Sequence, residues 1–206
     1  MAFNSLKPSL SSTPAVLNLI IINVIVYIAQ QIFDASPMDP GRLTSMLALY
    51  SVDTGNFKIY QLVTHLFAHG GFLHILFNMY ALWLFGSVLE RGWGAKKFLI
   101  FYFACGFAAG LSQMFLVPYS SAIGASGAVM GLIAAFAYTY PNVEFYIIPI
   151  PFPIKVKWLA VAYAAIDIFG GLSGKDGIAH FAHLGGLVMG LILVFIWNRQ
   201  NKKPSF

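Results

Sequence analysis

Gly124-Ala125-Ser126-Gly127-Ala128-Val129-Met130-Gly131 sets one hydroxyl among three glycines and two alanines, inside a very apolar chain. Glycines on both sides of Ser126 let the backbone approach a neighbour closely and adopt positive φ without strain. From Ser126 the sequence runs apolar to Tyr140 and stops at Pro141-Asn142, a helix-breaking pair. The spacing predicts a helix that begins at or next to Ser126. Its first-turn N–H groups then lack intrahelical partners. Together with the positive end of the dipole they can hold an oxyanion. The octapeptide alone also fits a small-residue helix interface with Ser126 as N-cap.

The 206 residues are 59% hydrophobic and only 9% charged. Soluble domains carry about 25% charged residues, so this is an integral membrane protein. The single Cys105 excludes an intrachain disulfide and argues against a cysteine-based zinc site. The net charge of +5 sits in the connecting segments and reports topology, not affinity for nucleic acid.

Working outward, apolar runs predict spans at about 14–33, 72–89, 98–117, 126–140, 156–172 and 178–197. Glu90-Arg91-Gly92 is expected to end the second. The first lacks a cleavage site and is too long for a signal h-region, so it is expected to be retained. The expected fold class is an all-α membrane protein: a compact bundle of six transmembrane helices with a long, partly helical first outer loop at 34–71. Residues 1–13 are expected as a flexible cytoplasmic N-terminus, 14–198 as the six-span domain and 199–206 as a basic cytoplasmic tail. Nine Lys/Arg lie in the terminal segments and the 90–97 and 141–157 turns, against Arg42, Lys58 and Lys175 on the other side. By the positive-inside rule both termini are cytoplasmic.

The fourth run has fifteen residues, about 22 Å of helix, too short for roughly 30 Å of hydrocarbon. Ser126 is then expected below the outer surface, at the floor of a wet pocket, because non-helical backbone at depth must be buried in protein or line water. Other polar groups share that level. His74 and Asn78 are i and i+4 in the outer half of the second span. His183 lies about 8 Å below the outer end of the sixth. Intramembrane ionisable groups point to function by default. Gly127 and Gly131 on the fourth span face a matching Gly186 and Gly190 on the sixth, a pattern that lets backbones approach closely. At about 100° per residue His183 shares the Gly186/Gly190 face, and His180 is expected to turn to its flank or to surface water. Asp167, near the outer end of the fifth span, is expected as an interface residue, with a third triad member as the minority view. His65 and His69 are expected to be structural, with a metal pair as the minority view. A serine within reach of a histidine is an activated nucleophile.

The set resembles the rhomboid family of intramembrane serine proteases. The matching pieces are His65-Leu66-Phe67-Ala68-His69, His74-Ile75-Leu76-Phe77-Asn78, Gly124-Ala125-Ser126-Gly127 and Ala182-His183-Leu184-Gly185-Gly186 with Gly190. The resemblance covers roughly residues 14–198. It implies that Ser126 is the nucleophile and His183 the general base of a catalytic dyad. It implies an oxyanion hole made by His74, Asn78 and the Ser126 N–H. Gly124, Gly127, Gly131, Gly186, Gly190 and Met130 would be structural neighbours of that site. The resemblance also implies transmembrane protein substrates, the lipid bilayer as surroundings, and no metal or organic cofactor. Two positions depart from the family pattern: Tyr60-Gln61 replaces a frequent Trp-Arg, and Met130 replaces an aromatic four residues after the serine. A catalytically inactive rhomboid-like binder or a His-rich transporter is the rival. Inactive relatives typically lack the Ser or His that this chain keeps. The compact six-span form is expected in a bacterial inner membrane.

Overall fold

The computed structural model describes residues 13–35, 41–146, 151–173 and 177–201. The N-terminal stretch before residue 13 and the tail after residue 201 lie outside them. The helices are α1 (Pro14–Phe33), α2 (Arg42–Leu47), α3 (Gln61–Thr64), α4 (Phe72–Ala81), α5 (Ser87–Trp93), α6 (Ala95–Leu116), α7 (Ser126–Thr139), α8 (Val156–Ser173) and α9 (His180–Asn201). A π-helical turn, Leu82–Gly86, joins α4 and α5 into one continuous helix, Phe72–Trp93.

Among the described residues, five helices are long and apolar enough to cross a membrane: α1, the α4–α5 helix, α6, α8 and α9. The fourth expected span, α7, has only 14 residues. It is buried without interruption from Gly127 to Ala137. A helix that is apolar all round belongs in a protein interior, so protein and not lipid surrounds it. Helix α8 is the opposite case: Val156 and Asp167 are its buried residues, while Val161, Ile166 and Phe169 point outward. Only a bilayer or a partner would cover such side chains.

Glu90 does not end the second span. The helix runs on to Trp93 and stops at Gly94, which takes φ 80° and donates its N–H to the Glu90 carbonyl at 2.7 Å. Glycine in positive φ is a common helix terminator. The Glu90 side chain is 2% exposed. Its two oxygens accept from the N–H groups of Ala15 (2.9 Å) and Val16 (2.8 Å). A carboxylate from one helix thus satisfies the orphan first-turn amides of another. Sequence reading took Glu90 as part of a polar break because its partners lie 74 and 75 residues away.

The first loop is built, not loose. Gln61 is buried, accepts from Lys58 N–H at 2.9 Å and donates to the Asn56 carbonyl at 3.3 Å. Thr64 Oγ1 donates to the Leu47 carbonyl at 2.9 Å. Gln61 therefore anchors the loop where the resemblance led one to expect an arginine. His69 N–H donates to Gln30 Oε1 at 2.9 Å, which ties the loop to α1. The strand β1 (Leu49–Tyr50) pairs antiparallel with β2 (Ser121–Ala122), Leu49 opposite Ala122. Ser51 and Ser120 add two bonds, N–H to carbonyl at 2.9 Å and Ser120 N–H to Ser51 Oγ at 3.1 Å. So the first loop holds the segment that leads into Ser126. A second pair, β3 (Glu144–Phe145) with β4 (Ile154–Lys155), closes the α7–α8 connection.

Two outcomes follow from these contacts. Glu90→Gln keeps the shape but removes the charge and one acceptor; it should cost about 1–3 kcal/mol, read as a lower thermal midpoint in detergent. Burial in the first loop pushes both His65 and His69 down to about 4. Both are held neutral, so the stability they permit is complete above pH 6.5 and is lost as pH falls toward 4. At pH 5 the loss reaches at most about 2 kcal/mol for each. Thermal unfolding from pH 7.5 to 4.5 should show the midpoint falling, and His65→Gln should flatten that fall.

Candidate active site

The site begins with a close crossing of α7 and α9. A Cβ at Gly186 would overlap the Gly127 carbonyl, and one at Gly190 would lie 2.5 Å from the Gly131 oxygen. Two backbones touch where the glycine pattern placed them. Ser126 opens α7, and His183 lies three residues before Gly186 on α9. The crossing therefore brings them together, with His183 Nε2 2.8 Å from Ser126 Oγ.

The approach to Ser126 needs a glycine as well. Gly124 has φ 116°, and a Cβ there would lie 2.7 Å from His74 Nε2. Its N–H donates to the His65 carbonyl at 2.8 Å, another tie to the first loop. His74, Ile123, Ser126, Ile178 and His183 line one cavity of about 440 Å³. His74 Nδ1 accepts from Gly70 N–H at 3.3 Å, which leaves the ring proton on Nε2. Asn78 is buried, one turn along α4, and its Nδ2 donates to the His74 carbonyl at 2.9 Å. It does not line the cavity. Met130 is buried in the hydrophobic core.

Two expectations are corrected. Asp167, expected at an interface, is 3% exposed and faces inward. Its Oδ1 lies 2.9 Å from His183 Nδ1 and 2.8 Å from His180 Nδ1. His180, expected on a flank or toward surface water, is also 3% exposed. Its ring meets Asp167 and Gly170, so α8 covers that flank. The periodicity of α9 holds no information on where α8 packs. A signal for Asp167 was present: it is the one acidic residue in the run 156–173.

His65 and His69 both turn Nδ1 to the backbone of their own loop. His65 Nδ1 donates to the Gln61 carbonyl at 2.7 Å, and His69 Nδ1 lies 3.3 Å from the Phe67 carbonyl. Among the described residues, the group with metal-ligand spacing is Asp167, His180 and His183, with donor atoms within 4.8 Å of one another. Its shared carboxylate oxygen is engaged by both imidazoles.

A Rhomboid domain model matches residues 56–200. The chain is 28% identical to Rhomboid-like protease 3 of Toxoplasma gondii, over 94% of this chain and 73% of that protein. It is 29% identical to Rhomboid protease GlpG of Yersinia enterocolitica, over 93% of this chain and 65% of the relative. It is also 29% identical to Rhomboid protease AarA of Providencia stuartii, over 90% and 73%. Bacterial and eukaryotic proteins both match, so the likeness does not select a bacterial membrane. With a matched model over more than half its length, this chain belongs to the rhomboid family.

Proposed function

We propose that the protein is an intramembrane serine endopeptidase acting on transmembrane segments of other membrane proteins, with Ser126 and His183 as its catalytic dyad. The observation that carries this is the 2.8 Å contact between His183 Nε2 and Ser126 Oγ at the wall of a cavity. The names of the family relatives support the reaction class.

Ser126 Oγ attacks the scissile carbonyl carbon while its proton passes to His183 Nε2. The tetrahedral oxyanion accepts from the Ser126 N–H at the start of α7, from His74 Nε2–H and, once bound substrate has opened the cavity to α4, from the second Nδ2 hydrogen of Asn78. Collapse breaks the C–N bond, and His183 returns the proton to the departing amine. A water, deprotonated by His183, then attacks the acyl ester and releases Ser126. His74 supports this role best, since its proton-bearing nitrogen faces the cavity beside Gly124. Six membrane helices are proposed, with α7 enclosed by the other five and both termini cytoplasmic.

A fluorophosphonate probe should tag Ser126 in detergent, and Ser126→Ala and His183→Ala should both abolish tagging and cleavage of a model transmembrane substrate. His74→Ala and Asn78→Ala should lower turnover by about a hundredfold while the protein still folds and still reacts slowly with the probe. Parent-rate cleavage by both would remove them from the oxyanion hole. For topology, single cysteines at Ser51 and Ser205 in a Cys105→Ala background should differ toward an impermeant thiol reagent in intact cells. Residue 51 should label and 205 should not; the opposite result inverts the orientation.

A further inference from the structure

The contacts at Ser126 extend beyond the dyad onto a third helix. Resting on the protease function proposed above, we propose that Asp167 is a positioning residue that sets the tautomer and orientation of His183, with His180 holding the same carboxylate in place. A family-type dyad needs no acidic member; this chain supplies one.

A carboxylate can only accept, and a neutral imidazole carries one ring proton. At 2.9 Å from Asp167 Oδ1, His183 Nδ1 therefore bears that proton. Its Nε2 lone pair is left facing the Ser126 hydroxyl at 2.8 Å. This is the tautomer a general base requires. The second imidazole does the same from one turn away: His180 Nδ1 donates to the same oxygen at 2.8 Å. The two donors converge on one atom from one helix, so Asp167 is fixed from the α9 side.

The packing of α8 is arranged around this contact. Asp167 is the one polar residue among the two that α8 buries. Gly170 follows it by three residues, on the same face. A Cβ at Gly170 would overlap the His180 ring, so α8 reaches α9 only because that position has no side chain. When the Ser126 proton moves to Nε2, the ring becomes a cation beside a buried anion. An ion pair in a water-poor site is stronger than one in bulk water.

Asp167→Asn tests this, because asparagine preserves the shape but can offer its NH₂ to Nδ1 and select the wrong tautomer. It should lower kcat and the rate of phosphonate labelling by 10-fold or more, with KM within about twofold and the thermal midpoint within a few degrees. His180→Gln should lose less than about fivefold. A purely structural Asp167 would instead move the midpoint and leave the kcat of the folded fraction unchanged, which overturns the proposal. Ring ¹⁵N spectra of the parent need no folding variant, since the chain has only five histidines. His183 should show Nδ1–H and an unprotonated Nε2; the reverse tautomer also overturns the proposal. If Ser126→Ala or His183→Ala retains activity, the protease function itself fails. If both are inactive and Asp167→Asn is unimpaired, only the role of Asp167 fails.

Discussion

Backbone contact between α7 and α9 is the constraint on which the site depends. The Gly186 and Gly190 positions lie against the Gly127 and Gly131 carbonyls with no room for a Cβ. In a bilayer there is little hydrophobic gain between helices, so close van der Waals packing of small residues does most of the holding. That packing fixes a separation that a Ser–His hydrogen bond could not enforce alone, since one such bond contributes only about 1 kcal/mol. The geometry of Ser126 and His183 is thus inherited from four glycines.

Around this crossing, buried polar groups are handled by reaching across the sequence. Glu90 caps α1, Gln61 folds the first loop on itself, and Ser51 with Ser120 fastens that loop to the segment before Ser126. Backbone amides that cannot reach water must find such partners. The first loop is therefore structural support for the segment that leads into Ser126, not a bare connection.

The helices, their order and the α7–α9 face were legible because hydrophobic length and small-residue spacing are local properties. Ser126, His183 and His74 could be ranked by depth along their own helices. What escaped was anything set by a third element. His180 is expected on a flank of α9, and only the placement of α8 decides whether that flank meets water. Asp167 stood alone in an apolar run, yet its direction depends on how α8 is rotated, and α8 buries too few residues to leave a clear stripe. Glu90 looked like a terminator because its partners belong to another helix. The short β1–β2 pairing was invisible for the same reason: two-residue strands carry no periodicity.

The Glu90 cap has a consequence for the order in which the chain can mature. Synthesis delivers residues from the N-terminus onward. The amides of Ala15 and Val16 exist 75 and 74 residues before the carboxylate that will accept from them. Before Glu90 is made, those two amides have to be served by another acceptor, such as water. In the finished fold the Glu90 carboxylate takes that place. The cap at the far end of the α4–α5 helix can therefore close only after both helices have been made.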